Sequence, residues 1–339
     1  MVARPEFCGE LDERVSRRAQ YTESIARESM NQNQPKDETP DVLDLLRIVA
    51  PERSDELPNL MAKYKIIFSE LDDREGFVLQ AIPAYGLVTF TDRTLSHLWL
   101  LAWVLWNETY CWSTFILAFV EQRKAFVLSD FEELPGQTAA YAAADALYSQ
   151  AMAFVTTEPM SLEFWPPGIP LQRDIQHGAV EDRFVNDLAH HAVAFFILHE
   201  MRHIMVHEDG LEFSNPLDEE FECDRWATDY LLGDSDAYSE WSGDDPLKVK
   251  SKRAMGVVLG TVVMAHVQSM GLWEAGDEHP AITERMSRII DHLDLPEDDF
   301  LWNISSSFLL AILRRRDAVP AQIEAKSQRE LFQELLHQH

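Results

Sequence analysis

One stretch limits the fold of this chain more than any other. Residues 180–206 read as a single long helix, and Phe195, Phe196 and Leu198 within it are the residues that anchor such a helix in a core. That apolar run leads straight into His199-Glu200-Met201-Arg202-His203, an H-E-x-x-H motif. Residues four apart on a helix lie on one face, one turn above the other. His199 and His203 therefore point the same way and can share one ion. Glu200 is displaced by about 100° around the axis, so its carboxylate misses the ion yet reaches a water held there, which is the position of a general base.

A third ligand has to come from another segment. Glu220-Phe221-Glu222-Cys223-Asp224 lies beyond the turn-prone Glu208-Asp209-Gly210 and Asn215-Pro216, with room for one reversal into an antiparallel helix. On that helix Glu220 and Asp224 share a face. Glu220 can complete the ligand set while Asp224 accepts a hydrogen bond from the far N–H of a ligand imidazole, which fixes its tautomer. Glu222 faces away from Glu220 and is the competing ligand, with Glu219 a weaker one. A set of two histidines and a glutamate with one open position suits a catalytic zinc ion, Zn2+. His207, at i+8 from His199, reads as a surface or supporting residue, because a fourth protein ligand would close the site. His190 and His191 read as packing or solvent-facing, and Cys223 as a small buried apolar residue.

The composition, 46% hydrophobic and 10% aromatic over 339 residues, is that of a globular chain with a substantial core. Its formal charge of −29 works against nucleic-acid backbones and anionic membranes, so nucleic acid is not an expected partner. Cys8, Cys111 and Cys223 are odd in number and form no C-x-x-C pair, which fits a reducing compartment. Residues 1–20 show no apolar signal region, and a cytoplasmic location is expected. Leu98–Trp106 is interrupted by Asn107 and Glu108, well short of the roughly 20 apolar residues of a membrane span. Ala254–Met270 is longer and carries Gly256 and Gly260 in a G-x-x-x-G spacing. It reads as a soluble core helix that approaches a neighbour closely, so no transmembrane anchor is expected.

The organisation is helix-dominated α+β. A polar arm and linker (1–40) contains the charged stretch Leu11–Met30 and the turn-rich 31–40. An N-terminal α+β part of the core (41–178) follows. In it, Gly76–Thr91 reads as two short strands around Pro83, with Asp92 capping the next helix. Leu95–Leu128 reads as helix broken near Asn107–Thr109, Thr138–Val155 as helix and Met160–Ile169 as a strand. The motif region (179–295) comes next, and the C-terminal part (296–339) reads as two helices parted near Ala318-Val319-Pro320.

His279-Pro280-Ala281-Ile282-Thr283-Glu284-Arg285 is an H-P-x-x-x-x-R pattern, with Pro280 suited to the first turn of a helix. The ordered series H-E-x-x-H, E-x-x-x-D, apolar helix, H-P-x-x-x-x-R resembles the gluzincin metallopeptidases of the HtpX and CAAX-prenyl-protease type over residues 199–285. The resemblance implies a zincin-like core with a small sheet and an active-site helix, zinc ligands at His199, His203 and Glu220, base at Glu200 and Asp224 as orienting residue. It also implies that His279 stabilises the oxyanion and that Arg285 ties its segment to the site. Those families usually carry evident transmembrane helices and a small residue where Arg202 stands. The run Glu220–Ala227 after H-E-x-x-H looks more like the soluble Lit-type phage-exclusion peptidases, cytoplasmic zinc endopeptidases that attack elongation factor Tu.

The function expected is a zinc-dependent endopeptidase acting on a protein or peptide, host-directed or defensive, with an activating or inhibiting protein partner. The alternatives are a catalytically silent zincin scaffold that binds or senses, and a membrane-associated quality-control peptidase.

Overall fold

The computed structural model describes residues 40–122, 125–157, 163, 165–170, 179–267 and 279–337. In chain order these form α1 (Pro40–Val49), α2 (Glu56–Tyr64), β1 (Ile67–Leu71), β2 (Leu79–Ile82), β3 (Leu87–Thr91), α3 (Asp92–Gln122), β4 (Phe126–Val127), α4 (Leu128–Glu132) and α5 (Gln137–Thr156). The second half comprises α6 (Val180–Glu208), α7 (Pro216–Leu232), α8 (Ser235–Ser242), α9 (Pro246–Val267), α10 (Ile282–His292), α11 (Phe300–Arg315), β5 (Gln322–Ile323) and α12 (Gln328–Leu336). The fold is helix-dominated with a small sheet. Of the arm expected over 1–40, residues 1–39 lie outside the described residues. Of the strand expected over Met160–Ile169, 160–162 and 164 lie outside them, and the six described residues are helical turn, turn, bend or irregular rather than strand.

Helix α6 runs through the middle and packs against α3, α7, α9 and β2. From Leu188 to Leu198 every residue is buried, as a helix apolar on all sides requires. Helix α9 comes close to it at Gly256. A Cβ there would stand 2.2 Å from His191 Cβ, so only glycine admits this approach. The G-x-x-x-G spacing thus serves helix packing in a core, and among the described residues no helix is long and apolar enough to cross a membrane.

The sheet has the order β1-β3-β2. Strand β3 is central and buried along its whole length. It pairs in parallel with β1 (Ile67 opposite Leu87) and antiparallel with β2 (Leu79 opposite Phe90). The turn Pro83–Gly86 joins β2 to β3, and Gly86 (φ 66°) closes it against Lys65, whose carbonyl oxygen would be 2.6 Å from any added Cβ. Strands β1 and β2 are the two edges, and β2 packs against α6.

Two expectations about helices are also corrected. Helix α3 does not break at Asn107–Thr109 but continues for 31 residues. Asn107 Nδ2 donates to the Trp103 carbonyl (2.9 Å) and Thr109 Oγ1 to that of Trp106 (2.7 Å). Glu108, fully buried, is paired with Arg315 and Arg314 of α11. Each member of the polar triplet finds a partner inside the helix or across it, although the second carboxylate oxygen of Glu108 has none, and the helix runs on. Pro280 does not open a helix: α10 starts two residues later at Ile282, after Ala281.

Candidate metal centre

Helices α6 and α7 form an antiparallel hairpin. Gly210 (φ 64°) turns the chain after α6, Asn215 caps α7 by accepting from the Leu217 N–H (3.1 Å), and Pro216 takes the first helical position. This places Glu220 opposite the two histidines. His199 Nε2 and His203 Nε2 are 3.2 Å apart. Glu220 Oε2 is 3.5 Å from the first and Oε1 3.6 Å from the second. One ligand atom from each of the three lies within 4.8 Å of the others. The alternative ligand Glu222 is drawn elsewhere, accepting from Arg202 Nη2 and Arg225 Nη2 at 2.6 Å each. Arg202, which stands where related motifs carry a small residue, points to that carboxylate and leaves the histidines clear.

The far ring nitrogens are also engaged. His199 Nδ1 lies 2.9 Å from Asp224 Oδ1. Asp224 is held in turn by Arg285, whose Nε and Nη2 donate to its two oxygens at 2.7 and 2.5 Å. Arg285 Nη1 is 3.3 Å from Glu220 Oε2, so this guanidinium joins α10 to Glu220 and Asp224 of α7. His203 Nδ1 lies 2.8 Å from Glu219 Oε1 and 3.5 Å from Cys223 Sγ. His279, half-exposed, reaches the cluster's edge with Nδ1 3.3 Å from Glu220 Oε1. His207 is exposed at the end of α6. His190 and His191 are buried away from the cluster, and His191 Nδ1 donates to the Asp187 carbonyl at 2.6 Å.

Glu200 has a neighbour that the sequence did not signal. Its Oε2 accepts from the Ala81 N–H of β2 at 2.6 Å. That N–H belongs to an edge strand of the sheet, so β2 stands directly beside Glu200. Strand alternation alone carries no information on which helix a sheet edge will face. Cys223 is buried as expected, but it lies closer to His203 than the helical wheel implied.

The electrostatics are those of a cation site. Arg285 pairs with two carboxylates, Asp224 and Glu220, and Glu219 lies against His203, so carboxylates outnumber the guanidinium. Burial would depress the His199 pKa, but hydrogen bonds to Asp224 and Glu220 outweigh it and raise the value to about 9. Burial likewise opposes ionisation of Glu220, yet His199, His279 and Arg285 hold its carboxyl well below the usual range. The charge of Arg285 and the His199 hydrogen bond do the same for buried Asp224. Burial and the neighbouring carboxylates push the Cys223 thiol up. Two imidazole nitrogens and a carboxylate in a negative, largely buried cluster fit a divalent ion of the zinc type.

No curated protein and no solved structure matches this chain. The model of one protein family, Peptidase U49, matches residues 88–305, from β3 to α11 and across the whole cluster. That is well over half of the 339 residues, and the chain belongs to the peptidase U49 family.

Proposed function

We propose that this chain is a zinc-dependent endopeptidase with a zincin-like core, in which His199, His203 and Glu220 hold Zn2+ and Glu200 is the general base. The observation that carries this reading is the convergence of those three ligand side chains within 4.8 Å in a member of a peptidase family. When bound, the zinc ion supplies Lewis acidity and lowers the pKa of a coordinated water toward about 7. Glu200 takes the proton of the attacking water and passes it to the leaving amine. The Ala81 N–H on Glu200 Oε2 restricts how that side chain can turn. His279 donates to the oxyanion of the tetrahedral intermediate, a contribution typically of about 3 kcal/mol. Asp224 and Arg285 hold the His199 ring.

The run Glu220–Ala227 and its Lit-type resemblance extend the proposal to biology. The protein acts in the cytoplasm on a translation factor of the elongation factor Tu kind, in defence against phage, and is held in check by a partner protein until triggered. Conversion of Glu200 to Gln tests the chemistry. Zinc content should be unchanged, while cleavage of a protein substrate should fall by orders of magnitude. Equal cleavage by both forms would end the reading. Expression of both forms in cells, followed by a search for fragments made only by the unmodified enzyme, identifies the substrate.

A further inference from the structure

A histidine that binds an ion through Nε2 must carry its proton on Nδ1, and an acceptor on that proton sets both the tautomer and the angle of the ring. For His199 the acceptor is Asp224, itself locked by Arg285. His203 cannot use the same carboxylate, because it lies one helical turn further along α6. Its Nδ1 instead meets Glu219 Oε1 at 2.8 Å. Glu219 is the residue before Glu220, rotated by about 100° around α7. The two side chains therefore approach the His203 ring from different sides, Glu220 toward Nε2 at 3.6 Å and Glu219 at Nδ1. The other group near Nδ1 is Cys223 Sγ at 3.5 Å, a weak acceptor.

We propose that Glu219 is the positioning residue for His203: it fixes the Nδ1–H tautomer and turns Nε2 toward Glu220 and the ion, as Asp224 does for His199. Two adjacent glutamates of α7 thus have different tasks, Glu220 as ligand and Glu219 as the orienting acceptor. The two orienting pairs also differ in kind. Asp224 is buried at 3% side-chain exposure, whereas Glu219 keeps 33%. Removal of Glu219 should therefore loosen the metal centre without disturbing the fold, which would not hold for Asp224. The inference rests on the zinc reading of the site.

The experiment measures zinc affinity of the full chain by competition with a chromophoric chelator, for the unmodified protein, Glu219→Ala, Glu219→Gln and Glu220→Ala. Visible absorption of the cobalt-substituted forms reports ligand geometry, and urea unfolding of the chelator-treated proteins reports the fold. Glu219→Ala should bind zinc about 10- to 100-fold more weakly, with an altered cobalt spectrum and unchanged unfolding. Glu219→Gln should recover part of the loss, because its amide oxygen still accepts from Nδ1–H. Unchanged affinity in Glu219→Ala overturns the proposal. A matching loss of stability in the chelator-treated protein also overturns it, by making the role structural. Losses in both Glu219 variants as large as in Glu220→Ala would make Glu219 a ligand. An unmodified protein that takes up no zinc would remove the metal centre itself, a result distinct from tight binding that ignores Glu219.

Discussion

Conversion of Gly256 to Ala tests how tightly α9 is set against the helix that carries the histidines. The added Cβ would stand 2.2 Å from His191 Cβ, 3.2 Å from its Cγ and 3.3 Å from the Leu188 carbonyl oxygen. Carbon atoms rest about 3.5 Å apart at closest comfortable contact, so the helices must part by about 1.3 Å. A Cβ moves with its backbone, and no rotamer change of His191 relieves the contact. Overpacking costs about 1–3 kcal/mol, and a clash between atoms fixed to two backbones belongs at the upper end, about 3 kcal/mol. Alanine returns about 1 kcal/mol of helix propensity over glycine. The net loss is about 2 kcal/mol, or about 3 °C in Tm for a chain of this size. Gly260 is the internal control. Its added Cβ would meet the Ala192 carbonyl oxygen at 3.3 Å and Phe195 Cδ1 at 3.4 Å, which shifts of a few tenths of an ångström absorb. Gly260→Ala should then be neutral or up to about 1 kcal/mol more stable. Calorimetry on both variants decides the matter. Gly256→Ala melting with the unmodified protein, or Gly260→Ala losing more than Gly256→Ala, would refute the packing argument.

Two further outcomes follow from buried charge and titration. Arg285→Ala leaves Asp224 and Glu220 facing each other without their cation, and urea unfolding should show a loss of about 3–5 kcal/mol; Arg285→Lys should recover only part of it, since an ammonium cannot reproduce the two-pronged bond to Asp224. Burial lowers the His191 pKa to about 3 from an ordinary 6.5, so below pH 6.5 the unfolded chain gains a proton that the folded chain refuses. This contribution is fully present above pH 6.5 and is lost as pH falls toward 3, at up to about 1.4 kcal/mol per pH unit. Unfolding measurements should show about 2 kcal/mol lost from this group between pH 6.5 and 5, and a flat profile there would count against a neutral buried His191.

Helical periodicity made much of the site legible. The spacing of His199 and His203, and of Glu220 and Asp224, is a property of one helix at a time, and each pair does share a face. The same local reasoning misjudged α3, because Asn107-Glu108-Thr109 looks like an interruption until Arg314 and Arg315 arrive from some 200 residues away to pair with Glu108. Strand β1 was not anticipated either. Only Phe68 in it is buried, among exposed and half-buried residues, which gives little alternation to read, and it is a strand because it pairs in parallel with β3.

By itself the sequence determined which residues could share a helix face: two imidazoles on α6, with the Glu200 carboxylate one step around it, and a carboxylate pair on α7. Those relations follow from a rise and a turn per residue that hold wherever the helix lies. Only the tertiary structure decided how three neighbouring glutamates divide their contacts, because that depends on the angle and depth at which α7 meets α6. Glu220 enters the cluster, Glu222 turns to Arg202 and Arg225, and Glu219 takes the far nitrogen of His203. The same is true of the Ala81 N–H on Glu200 and of Arg285 on Asp224. Each joins segments separated by dozens of residues, and long-range packing brings them within hydrogen-bonding reach.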